Sequence, residues 1–321
     1  MKTHIVIAAA AMALQACAQG SAQPGTLTPA VTSSGQASQP RSDTAQRVKS
    51  LAQRVKTELV HLPGGTFEMG DWGNEQGVPY DGEENSRPVH TVTLDAFSVM
   101  AYKVSYEDFD LFTDATGAQR INQDPRDAKD RQPRKPAGVN WFGAKAYCGW
   151  LRDITGLPFD LLTEAQWEYA ARSGGKKLLF ATDNGMIDKD RNFPWDIEDR
   201  RTPDIGVFPP NPAGIYGMLD LNASEWVNDW YDPDYYKHSP ALNPKGPDSG
   251  KPAQPKHPEF GPAKVLRGGA TSQPAFGGFV FSRGATEPRE VRSARRSKIP
   301  GYSGWASGQF RCGVQASNPV R

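Results

Sequence analysis

Leu161-Leu162-Thr163-Glu164-Ala165-Gln166-Trp167-Glu168-Tyr169-Ala170-Ala171-Arg172 carries the clearest local signal in the chain. Thr163 is a helix N-cap. Gln166, three residues on, completes a Thr-x-x-Gln capping box, in which each side chain accepts from the other residue's backbone N–H. Trp167, Ala170 and Ala171 then form one apolar stripe that faces a core. Arg172-Ser173-Gly174-Gly175 closes the helix with a basic last turn followed by glycine.

Other stretches stand in order around this helix. Pro63-Gly64-Gly65-Thr66-Phe67-Glu68-Met69-Gly70 precedes it; Asn222-Ala223-Ser224-Glu225-Trp226, Val265-Leu266-Arg267-Gly268-Gly269 and Phe310-Arg311-Cys312 follow it. Together, from about Val60 to Val314, they resemble the sulfatase-modifying-factor family, the family of the formylglycine-generating enzyme. The resemblance implies an α+β fold of the irregular C-type-lectin-like kind, with short strands, a few helices and many loops. It does not by itself imply an activity, because one fold hosts unrelated jobs.

Composition agrees with such a fold. The 32 Gly and 27 Pro, beside eight Trp and ten Tyr, describe a turn-rich domain pinned by aromatic side chains, and no internal repeat is present. With 37 basic against 36 acidic residues there is no global field to attract nucleic acid, so no nucleic-acid partner is expected.

The chain opens with Met1-Lys2-Thr3-His4 and an apolar run over residues 5–14, an export signal too short to span a bilayer as a mature helix. Leu14-Gln15-Ala16-Cys17 is similar to a bacterial lipobox, in which residues 1–16 are removed and Cys17 is lipidated. The other reading is an ordinary signal peptide that ends near a cysteine. By analogy with such lipoproteins, Ala18 directs the chain to the outer membrane, facing the periplasm and held by its lipid anchor. Residues 17–55, dominated at first by Gln, Ser, Thr, Pro, Ala and Gly, are expected to be a flexible tether, with only a faint basic helix pattern over 45–55. The domain proper is expected over 56–321.

Within it, alternation predicts strands at Leu59-Val60-His61-Leu62, Thr66-Phe67-Glu68-Met69 and over residues 89–94, where His90 points outward. The acid-rich loop over 71–87 reads as solvated. Ser105 starts a helix that buries Phe109, Leu111 and Phe112 and ends near Gly117; a second, from Trp141 to Ile154, buries Ala144, Tyr147, Cys148 and Leu151. Trp226, Trp230, Tyr231, Tyr235 and Tyr236 read as core, and the basic residues over 283–298 as a solvated face.

The resemblance also implies site residues. One family calcium site depends on a long loop that is missing after Phe193-Pro194-Trp195. For the second, Glu225 falls at the carboxylate ligand, Ala223 at a carbonyl ligand, and Asp220 is the nearest candidate for the side-chain ligand; Leu221 replaces the family's glycine. Two carboxylates with carbonyls are compatible with calcium, and equally Glu225 can bridge protein groups in a metal-free site. The family joins the cysteines corresponding to Cys148 and Cys312 by a disulfide. Its oxidases hold copper through two cysteines with four residues between them, since soft thiolates select Cu(I). Counted forward from Gly269 these positions are Gln273 and Gly278; counted backward from Arg292 they are Arg283 and Pro288. The chain's three cysteines are Cys17, Cys148 and Cys312, so copper is not expected. The five histidines are scattered with no His-x-x-x-His spacing, which argues against an iron site.

Two functions remain open. One is a non-catalytic pseudoenzyme domain, anchored in the envelope and serving as a binding or scaffold module for envelope protein partners, as in a secretion or signalling assembly. The other is a cysteine-independent periplasmic oxidase or maturation enzyme that uses Glu225 or another pocket acid. A raised carboxylate in a pocket would favour the second.

Overall fold

The computed structural model describes residues 39–189, 191–193, 202–221, 223–270, 278–289, 307–316 and 318. The signal segment, Cys17, Asn222, Gln273 and residues 290–298 of the basic stretch lie outside them. The fold belongs to the unit Pro40–Arg321.

The first element differs from expectation. Helix α1 (Gln39–Thr57) occupies the last part of the stretch read as tether, with Arg47, Lys49 and Arg54 exposed. Leu51 and Val55, four residues apart, are buried in the core, and Val48 packs beside them. Burying two such side chains contributes about 1.5–3 kcal/mol each, which holds the helix to the domain despite its polar composition. The helix over 39–55 was hidden in the sequence because three apolar positions at helical spacing are diluted among polar residues; residues 17–38 of the expected tether lie outside the described residues.

Strand β1 (Leu59–Leu62) follows, then the β2 (Gly65–Met69) and β3 (His90–Leu94) hairpin and β4 (Phe97–Met100). Helix α2 (Tyr106–Thr116) is capped by Ser105 and ended by Gly117 at φ 75°. Helix α3 (Trp141–Thr155) is capped by Asn140 and leads to β5 (Phe159–Leu161) and helix α4 (Glu164–Ala171). After β6 (Asp220–Leu221) come β7 (Ala223–Trp230), β8 (Lys264–Arg267), β9 (Gly269–Ala270), β10 (Gly284–Thr286), β11 (Ser307–Gln309) and β12 (Cys312–Val314).

Two four-stranded sheets organise these pieces. In the first, ordered β1-β4-β12-β5, the last strand is inserted between β4 and β5, so both ends of the domain are tied into one antiparallel sheet. The second runs β10-β8-β7-β11, with β11 parallel to β7. Gly308 of β11 lies so close to Trp226 of β7 that a Cβ would fall 1.9 Å from its Nε1, and only glycine permits that approach.

One core gathers Phe67, Val92, Trp167, Val227 and Phe281 around α4. The other packs α1, α2 and α3 through Leu51, Phe109, Tyr147, Leu151 and Phe310. Cys148 on α3 and Cys312 on β12 are both fully buried there and joined as a disulfide, with Cα atoms 5.7 Å apart. Trp226, Tyr231, Tyr235 and Tyr236 are core residues and Trp230 is half-buried. Two polar readings need correction. Asp71 is buried, its carboxylate accepting from Gly73 N and Asp81 N to hold the acidic loop in shape. Arg283, taken for part of a solvated face, is also buried.

Candidate functional site

Both bonds of the capping box form: Thr163 Oγ1 accepts from Gln166 N at 3.2 Å and Gln166 Oε1 accepts from Thr163 N at 3.0 Å. All eight residues of α4 are buried, not only the apolar stripe. Its two acids meet three buried arginines. Arg267 donates to Glu164 and to Glu168, at 2.8 Å each; Arg283 grips both oxygens of Glu164 at 2.7 and 3.0 Å; Arg172 reaches Glu168 at 3.0 Å. Burial pushes the Glu164 carboxyl up, but Arg283 and Arg267 outweigh it and hold the group below the usual carboxylate range. The Tyr236 hydroxyl donates to Glu164 from 3.3 Å, and burial with the nearby Glu164 charge raises its pKa well above that of an ordinary tyrosine.

Such a cluster is a structural clamp. Arg283 grips Glu164 with a bidentate fork, single bonds from Arg267 and Arg172 meet Glu168, and removing one partner would strand a buried charge. Beside it, Asp229 of β7 accepts from Glu164 N at 2.9 Å, and its carboxyl is pushed up to about 7 by burial and by the Glu164 charge.

The segment implied to hold calcium lies on β6 and β7. Asp220 Oδ2 accepts from Lys103 Nζ at 2.8 Å, and the same ammonium donates to Gln309 Oε1 at 2.6 Å. Glu225 is gripped by Arg311 through both oxygens, at 2.7 and 2.9 Å. Ala223 is buried opposite Ser307 in the parallel ladder. Calcium takes about six to eight oxygens, several of them charged. Each carboxylate of this segment already faces a buried cation, and among the described residues no three His, Cys, Asp or Glu side chains gather into a metal-binding group. The residues as arranged do not fit calcium.

Neither do they fit a thiolate copper site. Gly278, Arg283 and Pro288 are not soft ligands, Gln273 lies outside the described residues, and Arg283 is committed to Glu164.

A cleft lies on the other side of Lys103. Tyr102 stacks on Tyr216 with ring centroids 4.6 Å apart, and Gly206 at φ +75° rests on Tyr102, where a Cβ would come within 3.0 Å of the ring. Tyr102, Ile205 and Gly206 wall both an inner pocket of about 40 Å³, bordered by Lys103 and Asp220, and an outer groove of about 620 Å³ between α1 and α2. The outer groove sets Arg47, Arg54 and Arg134 beside Glu58, Glu107 and Asp108. Burial raises the Asp108 carboxyl above its ordinary value, with Arg54 opposing from 2.5 Å. The sequence reading missed this groove because one of its walls is α1.

The profile of the sulfatase-modifying factor enzyme 1-like domain matches residues 44–316. The chain belongs to the sulfatase-modifying-factor family. Its fold is that family's α+β, C-type-lectin-like one, and the matched span begins within α1, which this member therefore counts as part of the domain. Formylglycine-generating enzyme from Bos taurus is 30% identical over 250 residues, covering 61% of this chain and 63% of that protein. The enzyme from Streptomyces coelicolor is 31% identical, covering 66% of this chain and 77% of that protein. A serine/threonine-protein kinase pkn1 from Chlamydia pneumoniae is 30% identical, covering 70% of this chain but 35% of the kinase. This family member thus spans less than two thirds of the bovine enzyme and about a third of the kinase. The structure of PvdO from Pseudomonas aeruginosa superposes with a TM-score of 0.59 at 24% identity, covering 80% of this chain and 94% of that one. Treponema denticola variable protein 1 gives 0.57 at 19% identity, covering 80% and 95%. These two likenesses concern the fold alone.

Proposed function

We propose that this chain is an envelope-anchored lipoprotein whose domain acts as a binding or scaffold module for an envelope protein, and not as a formylglycine-generating oxidase. The observation that carries the reading is the fate of the thiols. Cys148 and Cys312, the only cysteines after the lipobox, are joined inside the core. A buried disulfide supplies no thiolate to a soft metal and no reducing equivalent to oxygen.

The carboxylates point the same way. Asp229, with its pKa pushed up to about 7, borders neither the inner pocket nor the outer groove. Asp108 does border the groove, but Arg54 is bonded to it. Neither is placed as a free acid or base. The serine/threonine-protein kinase pkn1 from Chlamydia pneumoniae matches this chain over about a third of its own length, which supports a domain that can serve as one part of a longer chain. The outer groove between α1 and α2, with charges of both signs along it, is the surface assigned to the partner.

Photo-cross-linking in intact cells tests the reading. Probes at Arg47 and Glu107, on the two sides of the groove, should each trap the same envelope protein, and Cys17→Ala should release the domain from the membrane fraction and abolish the adduct. Cross-links from neither position, or a wild-type protein already soluble in the periplasm, would contradict it.

A further inference from the structure

We propose that the pocket beside Trp230, at the end of β7, is a saccharide-binding site that takes one neutral pyranose ring of an oligosaccharide.

The pocket has a volume of about 340 Å³, within the range of about 300–1,000 Å³ usual for small-ligand sites. Trp230, Pro252, Pro258 and Pro262 wall it, and Asp248 and Ser249 stand on its exposed rim. It shares no residue with the inner pocket or with the outer groove. The half-buried indole is fixed by its neighbours. Lys264 Nζ sits 3.8 Å from its ring centroid, and Gly250 lies so close that a Cβ there would come within 2.8 Å of Cε3. Lys264 does not border the pocket, so its ammonium covers one face of the ring and leaves the other for a ligand. The loops that carry the walls are tied down as well: Lys251 N donates to Tyr231 O at 2.7 Å, Ala263 N to Lys251 O at 3.0 Å and Gly261 N to Pro258 O at 3.0 Å. With three proline rings of fixed φ added, the site is preformed and binding orders little.

The polar groups select the ligand. The Trp230 indole N–H, the Asp248 carboxylate and the Ser249 hydroxyl make no hydrogen bond or ion pair with any described residue. They offer a donor, an acceptor and a group that does both. A proline-rich segment stacks well on tryptophan but has no N–H at its prolines to give to the carboxylate. A cation suits Asp248, yet it would share the indole with the Lys264 ammonium, a like charge on the opposite face. An anion is repelled by Asp248, the single charged residue among the described residues that border the pocket. A neutral pyranose meets every requirement. Its C–H face packs on the apolar ring, while its hydroxyls donate to Asp248, accept from the indole N–H and pair either way with Ser249.

The purified full-length chain is titrated with cellotriose, maltotriose and triacetylchitotriose by calorimetry and by saturation-transfer NMR. At least one should bind with a dissociation constant of about a millimolar, as fits a single ring on an open pocket. Trp230→Ala should weaken that binding by about tenfold or more. Asp248→Ala, at an exposed residue with no partner, should weaken it severalfold and leave the melting temperature unchanged. Should Trp230→Ala fail to fold, Asp248→Ala and Ser249→Ala decide. Failure of all three sugars to bind would overturn the proposal, as would binding that Asp248→Ala and Ser249→Ala both leave intact. An oligoproline peptide that binds where the sugars do not would overturn it too, and would assign the pocket to a polyproline helix.

Discussion

Asp229→Asn removes a buried ionisable carboxyl at the start of α4. Asp229 is 2% exposed and its Oδ2 accepts from the first backbone N–H of α4. Its carboxyl moves from an ordinary 3.8 to about 7, through burial and the repulsion of Glu164. A folded-state pKa raised above the unfolded value means that the native state binds the extra proton. Stability is therefore highest below about pH 4 for this group, falls as pH rises through the window between 3.8 and 7, and levels off above it. A shift of about three units at roughly 1.4 kcal/mol each corresponds to a loss on the order of 4 kcal/mol across that window. Asparagine keeps an acceptor for the Glu164 N–H and cannot ionise. The assay is urea denaturation of wild type and Asp229→Asn at half-unit steps from pH 4 to 8. The variant should be the less pH-sensitive of the two, and the difference in unfolding free energy should shift in its favour by about 4 kcal/mol from pH 4 to pH 8. Curves that stay parallel within about 0.5 kcal/mol would show that Asp229 is not held in the raised state, and the reasoning from burial would fail.

Arg283→Ala separates the buried clamp from a solvated face. Removing one partner of the buried Glu164 pair should cost about 3–5 kcal/mol by thermal or chemical denaturation, where a surface arginine would cost within about 0.5 kcal/mol. Cys148 and Cys312 close a loop of 164 residues, so reduction should destabilise the domain by about 5 kcal/mol on the chain-entropy account. Non-reducing peptide mapping that finds both thiols free in the purified protein would remove the basis for that figure.

What the sequence made legible, and what it did not, follows the range of the interactions. The α4 capping box, the Ser105 cap and Gly117 terminator of α2, and the buried face of α3 are all set by residues three or four apart, and each is found where the pattern placed it. The family motifs likewise pointed to the family whose profile matches residues 44–316. The misreadings concern charge and weak amphipathicity. Arg283 lies 119 residues from Glu164 and Lys103 lies 117 from Asp220, so no local pattern announces that either pair is buried. Helix α1 was misread because two or three apolar side chains suffice once a finished core is waiting for them. The outer groove went unseen for the same reason, its α1 wall having been assigned to the tether.

Aldehyde formation tests the central claim, that the family's fold is used here without the family's thiolate chemistry, most directly. The purified domain is incubated with a sulfatase-type cysteine peptide, oxygen and Cu(I), and the peptide is examined by mass spectrometry for conversion of cysteine to formylglycine. The account predicts no conversion above the protein-free control, with or without copper, for wild type and Glu225→Ala alike. Catalytic turnover by the wild type that Glu225→Ala abolishes would contradict it.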